Sequence, residues 1–263
     1  MTDLLTEARR LAGADDLLRA RELVRDIGHR DRLVLSDEAQ ALEAELQRLT
    51  AHADSREAYE AFYAEVSPAR PFTPMEFLAD AHLRFPRWGY VREQLLARQT
   101  RTVLELGCFD AWTLLNLTLA EPRITAVGVD LTPHAVLEAN RRAARFTLPL
   151  RVQEGFLEDL QLEQRFDAVL LLEILEHVRD VDVALAVAER HLAPGGVVYV
   201  SFPLTAPVHA GERERREHLR LFDHGRALAL LTAPGRSLVW YVQFPVGGDQ
   251  HGVWHHCGAY RCQ

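Results

Sequence analysis

The chain is short of several things, and each shortage closes off a class of protein. Its 263 residues include three cysteines, two of them near the C-terminus. An odd number so placed makes no disulfide framework and points to a reducing, cytoplasmic setting. No apolar run approaches the ~18 residues that a membrane-spanning helix needs, so no membrane partner is expected. The opening Met1-Thr2-Asp3-Leu4 lacks the basic-then-apolar layout of a signal peptide. Positive charge is also in deficit, with a formal net charge of -8. Affinity for a phosphate backbone comes mainly from clustered Lys and Arg, so the balance argues against nucleic acid. The one basic run, Arg213, Arg215, Arg216 and Arg220, is interleaved with Glu212, Glu214 and Glu217 and reads as a solvated helix face. What is present, 48% hydrophobic residues, suits a soluble globular protein with one substantial α/β core and an extra segment.

Glycine is missing where one familiar motif would require it. Residues 103–113, Val-Leu-Glu-Leu-Gly-Cys-Phe-Asp-Ala-Trp-Thr, read as an apolar strand that ends in an acid, turns on a glycine and opens a helix. Such a turn lets backbone amides approach a ligand, and the helix that follows presents its positive end there. The dinucleotide fingerprint Gly-x-Gly-x-x-Gly fails, because Phe109 and Trp112 occupy its second and third glycine places. A pyrophosphate ligand is therefore excluded, while a small polar ligand is not.

Three further elements follow in order. Ile124 to Val129 is an apolar run ending at Asp130, a carboxylate about 20 residues beyond the glycine turn and placed to accept hydrogen bonds from two ribose hydroxyls. Thr132 or Pro133 then starts a helix whose body is Ala135 to Ala144. Leu150 to Leu160 reads as a strand and loop that include Gly155, Phe156 and Glu158. Phe166 to Val178 reads as a buried strand running into Glu173-Ile174-Leu175-Glu176-His177, and Leu192-Ala193-Pro194-Gly195-Gly196 leads to a strand from Val197 to Phe202.

From roughly residue 100 to 203 these pieces, in this order, resemble the class I methyltransferases that use S-adenosylmethionine. Phe109 and Ala111 stand where that family often has its second and third glycines. The resemblance implies that Glu105 faces the methionine part of the cofactor, with Gly107, Cys108 and Phe109 forming the turn beside it. It implies further that Asp130 and Leu131 serve the ribose, that Gly155, Phe156 and Glu158 flank the adenine, and that Glu173 lies close to the transferable methyl. Many relatives carry Asp where this chain has Phe156, so the adenine hydrogen bond moves to Glu158 or to backbone. Methyl transfer from a sulfonium needs an in-line acceptor more than acid or base power, since the cofactor carries its own leaving group. For a hydroxyl acceptor a base still helps, and His177 with Glu173 is the candidate catalytic pair. The alternative role for His177 is to cap or brace the next helix.

Two other functions stay open. Glu173, Glu176 and His177, with His218 or His224, resemble the divalent-metal site of the small-RNA 3'-end 2'-O-methyltransferases, and such O/N ligation suits manganese or magnesium. His218 to Phe222 equally resembles the stretch before the last core helix of small-molecule enzymes. The replaced glycines at Phe109 and Ala111 also fit a cofactor-binding interaction module without turnover. His209, His251, His255, His256, Cys257 and Cys262 do not read as a zinc site. Val253 to Arg261 looks like a final antiparallel strand paired with Trp240 to Val246 through Gly247-Gly248, and alternation separates His255 and Cys257 from His256.

The expected architecture is α/β: a seven-stranded Rossmann-like sheet, the last strand antiparallel, with helices on both faces and an N-terminal helical extension. The extension spans residues 1–90 and the methyltransferase domain 91–263. In the extension, apolar residues recur at helical spacing through Leu4 to Ala12 and Leu17 to Val24, a third helix runs from Ser36, its cap, to Leu49, and Ala51 to Ser55 reads as a polar link. These helices read as a cap or as a homodimer surface. The aromatic helix Ala58 to Val66, with Tyr59, Phe62 and Tyr63 on one side, suits either closure over the cofactor or plain packing. The expected activity is methyl transfer to an oxygen or nitrogen of a small-molecule metabolite.

Overall fold

A computed structural model describes residues 2–13, 16–31, 37–66, 86–203, 218–220, 222–245 and 254–263. The chain divides into two compact units, Met1–Val66 with Thr205–Leu221, and Ser67–Leu204 with Phe222–Gln263. The boundary expected at residue 90 would cut helix α5 (Pro86–Ala97), which belongs to the second unit.

The first unit is helical: α1 (Thr2–Gly13), α2 (Leu17–Asp31), α3 (Asp37–Thr50) and α4 (Arg56–Val66). Ala8, Leu11, Leu17, Ala20 and Val24, which recur at helical spacing on the first two helices, form its core with Leu46 and Leu49 of α3. Arg21 is buried in it and donates to Thr50 Oγ1 at 2.9 Å and to both carboxylate oxygens of Asp54. The stretch expected as a polar link is instead packed. Ala51–Ala53 forms a 3-10 turn, and the His52 ring stacks on Phe62 with centroids 4.2 Å apart. Tyr59 and Tyr63 complete that aromatic cluster, so the aromatic face of α4 packs within its own unit. The expected cap Ser36, the proline cluster 68–74, His209, most of the Arg/Glu run and the Gly247-Gly248 turn lie outside the described residues. Arg220, the one described member of that run, is buried rather than solvated.

The second unit is a seven-stranded sheet in the order β3-β2-β1-β4-β5-β7-β6. Its strands are β1 (Thr102–Leu106), β2 (Thr125–Asp130), β3 (Leu150–Glu154), β4 (Phe166–Leu172), β5 (Leu192–Pro203), β6 (Arg236–Pro245) and β7 (Trp254–Cys262). Only β7 runs against the rest, pairing antiparallel with both β5 and β6. The central strands are apolar throughout because helices cover both faces. Leu104, Val127, Val169, Leu171, Val198 and Val200 face one core layer, and Val103, Ala126, Ala168, Leu170 and Tyr199 the other. β5 begins earlier than the sequence suggests, at Leu192, and a register shift between Phe166 and Ala168 of β4 absorbs its Pro-Gly-Gly start.

Helices α6 (Trp112–Ala120), α7 (Pro133–Arg145), α8 (Val181–Arg190) and α9 (His224–Leu231) follow strands β1, β2, β4 and β5. Two of these starts show their local cause plainly. Pro133 supplies the fixed φ of a first helical residue, and Asp180 accepts from the amides of Asp182 and Val183 at 2.9 and 3.1 Å. Asn140 of α7 donates to Val152 O and accepts from Val152 N, a side-chain amide that satisfies the outer backbone groups of edge strand β3. The strand order reverses between β1 and β4, and in open α/β sheets ligands bind at the carboxyl ends of strands beside that point.

Candidate active site

The turn after β1 is built around Gly107. Its φ is +70°, and a Cβ there would stand 2.5 Å from Ile174 Cδ1, so both backbone conformation and packing demand glycine. The amides of Gly107 and Cys108 both donate to Val129 O, at 2.8 and 3.2 Å, and tie the turn to the end of β2. These two amides are therefore committed to the fold rather than aimed at a ligand. The Cys108 thiol packs inward against Gly128, where a Cβ would meet its sulfur at 2.7 Å, and burial pushes it well above the ordinary thiol range. Phe109 and Ala111 have φ of 47° and 54°. The turn thus holds the left-handed conformation at alternate positions although glycine occupies only the first.

Two carboxylates end up beside this turn. Glu105 is buried, and burial pushes its pKa up to about 8; Arg87 and a hydrogen bond with Thr113 work the other way, while Asp110 and Asp130 add to the rise. Its Oε2 has no hydrogen-bond partner among the described residues. Asp130 closes β2, and its two oxygens accept from Phe109 N at 2.7 Å and Thr132 N at 2.9 Å. Burial raises its pKa, and those amide bonds hold the rise back. Leu131 is half-buried beside it, and Gly155 N donates to Asp130 O at 3.0 Å, so the loop after β3 is pinned to the same strand end. In that loop Phe156 is buried, whereas Glu158 is half-buried in the 3-10 turn Leu157–Asp159.

At the end of β4, Glu173 takes a φ of 55°, which turns its side chain out of the strand alternation. Its Oε1 accepts from Ser201 Oγ at 2.8 Å and pairs with Arg87 Nη1 at 2.9 Å. Arg87 stands in the first turn of α5 and its charge also reaches Glu105. The sequence reading passed over Arg87 and Ser201. Neither lies in a motif, and only the fold brings α5 and the end of β5 to Glu173. Glu176 is buried next to His177, with His177 Nε2 3.6 Å from Glu176 Oε1. The residues from 173 to 179 form turns, not helix, and Asp180 rather than His177 caps α8. His218 belongs to the other compact unit.

A sheet of this order, with acids ending β1 and β2 beside its reversal point, defines a Rossmann-like nucleoside-cofactor fold. The chain matches the family described as a methyltransferase domain over residues 75–250, and it belongs to that family. It is 33% identical over 146 residues to a ubiquinone biosynthesis O-methyltransferase of Azorhizobium caulinodans, a match covering 51% of this chain and 57% of that protein. A second protein of that name, from Bradyrhizobium diazoefficiens, is 32% identical over 124 residues, covering 44% of this chain and 49% of the relative. The chain thus spans about half the length of the curated relatives it matches. Among solved structures it resembles the N-methyltransferase NodS of Bradyrhizobium japonicum bound to S-adenosyl-L-homocysteine, with a TM-score of 0.54 and 18% identity over 82% of this chain and 97% of that one. It also resembles an S-adenosylmethionine-dependent methyltransferase of Clostridium acetobutylicum, with a TM-score of 0.53 and 14% identity over 70% and 94%. The fold is therefore that of the class I methyltransferases. Among the described residues no helix is long and apolar enough to cross a membrane.

Proposed function

We propose that the protein transfers the methyl group of S-adenosylmethionine to an oxygen or nitrogen of a small-molecule metabolite. The observation that carries this reading is the buried Glu105, whose Oε2 lacks a hydrogen-bond partner among the described residues. A buried carboxylate is costly unless a cation meets it, and the cofactor's α-ammonium is such a group. Asp130 fits equally well. Its oxygens accept the amides of Phe109 and Thr132 and a hydrogen bond from the Thr132 side chain, and the carboxylate keeps acceptor capacity for the ribose.

Membership of the methyltransferase domain family and relatives named O-methyltransferases support the reaction class and favour oxygen as acceptor. When bound, the cofactor supplies an activated methyl on its own leaving group. The chain's residues then bind, orient and manage a proton. Glu105 and Asp130 take opposite ends of the cofactor, with Gly107, Cys108, Phe109 and Leu131 shaping the turn between them. Gly155, Phe156 and Glu158 border the adenine. Arg87 offers a guanidinium for the cofactor's carboxylate while holding Glu173 in place with Ser201. His177 turns its Nε2 edge toward the buried Glu176, 3.6 Å away, and takes the acceptor's proton on the other ring nitrogen, Nδ1, as an imidazolium that Glu176 stabilises. The N-terminal unit is an attachment to this catalytic part, either a cap or a homodimer surface, and a cytoplasmic location suits the chemistry.

A second reading, divalent-metal-dependent 2'-O-methylation of an RNA 3' end through Glu173, Glu176, His177 and His218, draws support from the Glu176–His177 pair. The Arg87 and Ser201 contacts on Glu173 and the net charge of -8 count against it. A single assay separates the two. Labelled S-adenosylmethionine incubated with purified protein and a small-molecule cell extract should yield labelled organic-soluble products, undiminished by EDTA. Label appearing only in added RNA, and abolished by EDTA, selects the metal-dependent reading. No label in either sinks the enzyme reading and leaves a cofactor-binding module.

A further inference from the structure

Glu173 is the first residue past β4, and what holds it comes from the neighbouring strand rather than from its own. Its φ is 55°, a conformation that non-glycine residues adopt rarely and that concentrates at functional sites. Ser201 of β5, the register partner of Leu172, meets it twice. Glu173 N donates to Ser201 O at 2.9 Å, and Ser201 Oγ donates to Glu173 Oε1 at 2.8 Å. The ladder thus runs one residue beyond the strand, while the side chain folds back onto the same partner.

Ser201 is fully buried, and a buried hydroxyl is costly unless it bonds. Its donor goes to a carboxylate that already has a cation, since Arg87 Nη1 stands 2.9 Å from the same oxygen. The ion pair alone would let the carboxylate pivot about the guanidinium. Two donors from two elements, α5 and β5, fix both its place and its tilt. The neutral hydroxyl therefore orients Glu173 more than it neutralises it, and Oε2 is held in one direction.

We propose that Ser201 is a positioning residue for methyl transfer: it holds Glu173 Oε1 so that Oε2 accepts a hydrogen bond from a hydroxyl or amino hydrogen of the acceptor, other than the one His177 removes. The proposal rests on the methyl-transfer reading, which sets Glu173 close to the transferable methyl. As the acceptor atom bonds the methyl carbon, the carbon–sulfur electron pair stays on sulfur. The reacting hydrogen leaves as a proton to His177 Nδ1, and the second hydrogen keeps the acceptor aligned against Glu173. This count narrows the substrate class to neutral compounds that offer two such hydrogens, an amine or a hydroxyl with a donor beside it. A carboxylate acceptor brings no hydrogen and would meet Glu173 with like charge.

Ser201→Ala, Ser201→Thr and Ser201→Cys, set against the parent, test this in thermal melts, in titration calorimetry with S-adenosylhomocysteine, and in transfer of label from saturating S-adenosylmethionine to a small-molecule cell extract. Ser201→Ala keeps the backbone bond and the Arg87 pair, so it should melt near the parent and bind S-adenosylhomocysteine within about twofold, yet transfer label about tenfold more slowly. Threonine restores the hydroxyl and should recover the rate to within about threefold, whereas cysteine, similar in size but a weak donor, should stay as slow as alanine. An alanine or cysteine variant as fast as the parent overturns the proposal. So does a rate loss matched by an equal loss of S-adenosylhomocysteine affinity, which would assign Ser201 to the cofactor or to the fold. Label that base releases as volatile methanol marks a methyl ester, hence a carboxylate acceptor, and overturns it as well. A parent that binds S-adenosylhomocysteine but labels nothing overturns the methyl-transfer reading itself, and the proposal with it.

Discussion

Glu105 shows how much a single residue of this site carries and how little of that a motif reveals. The sequence gives its place at the end of an apolar strand; its cost comes from complete burial with Arg87 as the opposing charge, and α5 is far from any signature. Because burial lifts its pKa from 4.5 to about 8, the unfolded chain releases this proton first as pH rises. The group's contribution to stability is therefore full below about pH 4.5 and is lost progressively toward pH 8, at on the order of 1 kcal/mol per pH unit. Glu105→Gln removes the titration while keeping the shape. Melting temperatures of parent and variant should converge near pH 4.5 and separate in the variant's favour by pH 8, and parallel profiles would refute the burial argument. Arg87 itself was illegible for the same reason: an arginine before the first strand has no meaning until the fold sets it 2.9 Å from Glu173.

At the scale of elements, legibility followed burial. Strands β1, β2 and β4 read correctly because strands covered on both faces are near-continuous apolar runs, and β6 with β7 read as an antiparallel pair from alternation and spacing. The misreadings arose where tertiary packing overrode local polarity. Residues 51–55 look like a link but His52 is buried against Phe62, and Leu192 to Gly196, read as the lead-in to a strand from Val197, lies within β5. The segment from Glu173 to His177 offered His177 as an alternative cap or brace of the next helix; the side chain that caps α8 is Asp180, with two amides on one oxygen. Asp180→Ala should cost about 1 kcal/mol and lower the melting temperature by a few degrees, because α8 loses its only side-chain acceptor at that end. An unchanged melt would mean that the turn from 173 to 179, not the cap, fixes where α8 begins.

For the molecule as a whole, the sheet unit follows from the sequence almost strand by strand, whereas the composition of the helical unit does not. Leu219, far along the chain, groups with the helical unit and accepts from Leu17 N at 3.1 Å, a pairing that no local pattern announces. The functional account belongs to the sheet unit alone. Its central claim is that the acids ending β1 and β2 hold the two ends of one sulfonium nucleoside. The most direct test is titration calorimetry of S-adenosylhomocysteine against the full chain and against Asp130→Ala, with melts to confirm that the variant is folded. The account predicts saturable binding to the parent and a loss of at least about tenfold in the variant, the scale of charge-assisted hydrogen bonds to two hydroxyls. Absence of binding to the parent, or equal affinity in the folded variant, would contradict it.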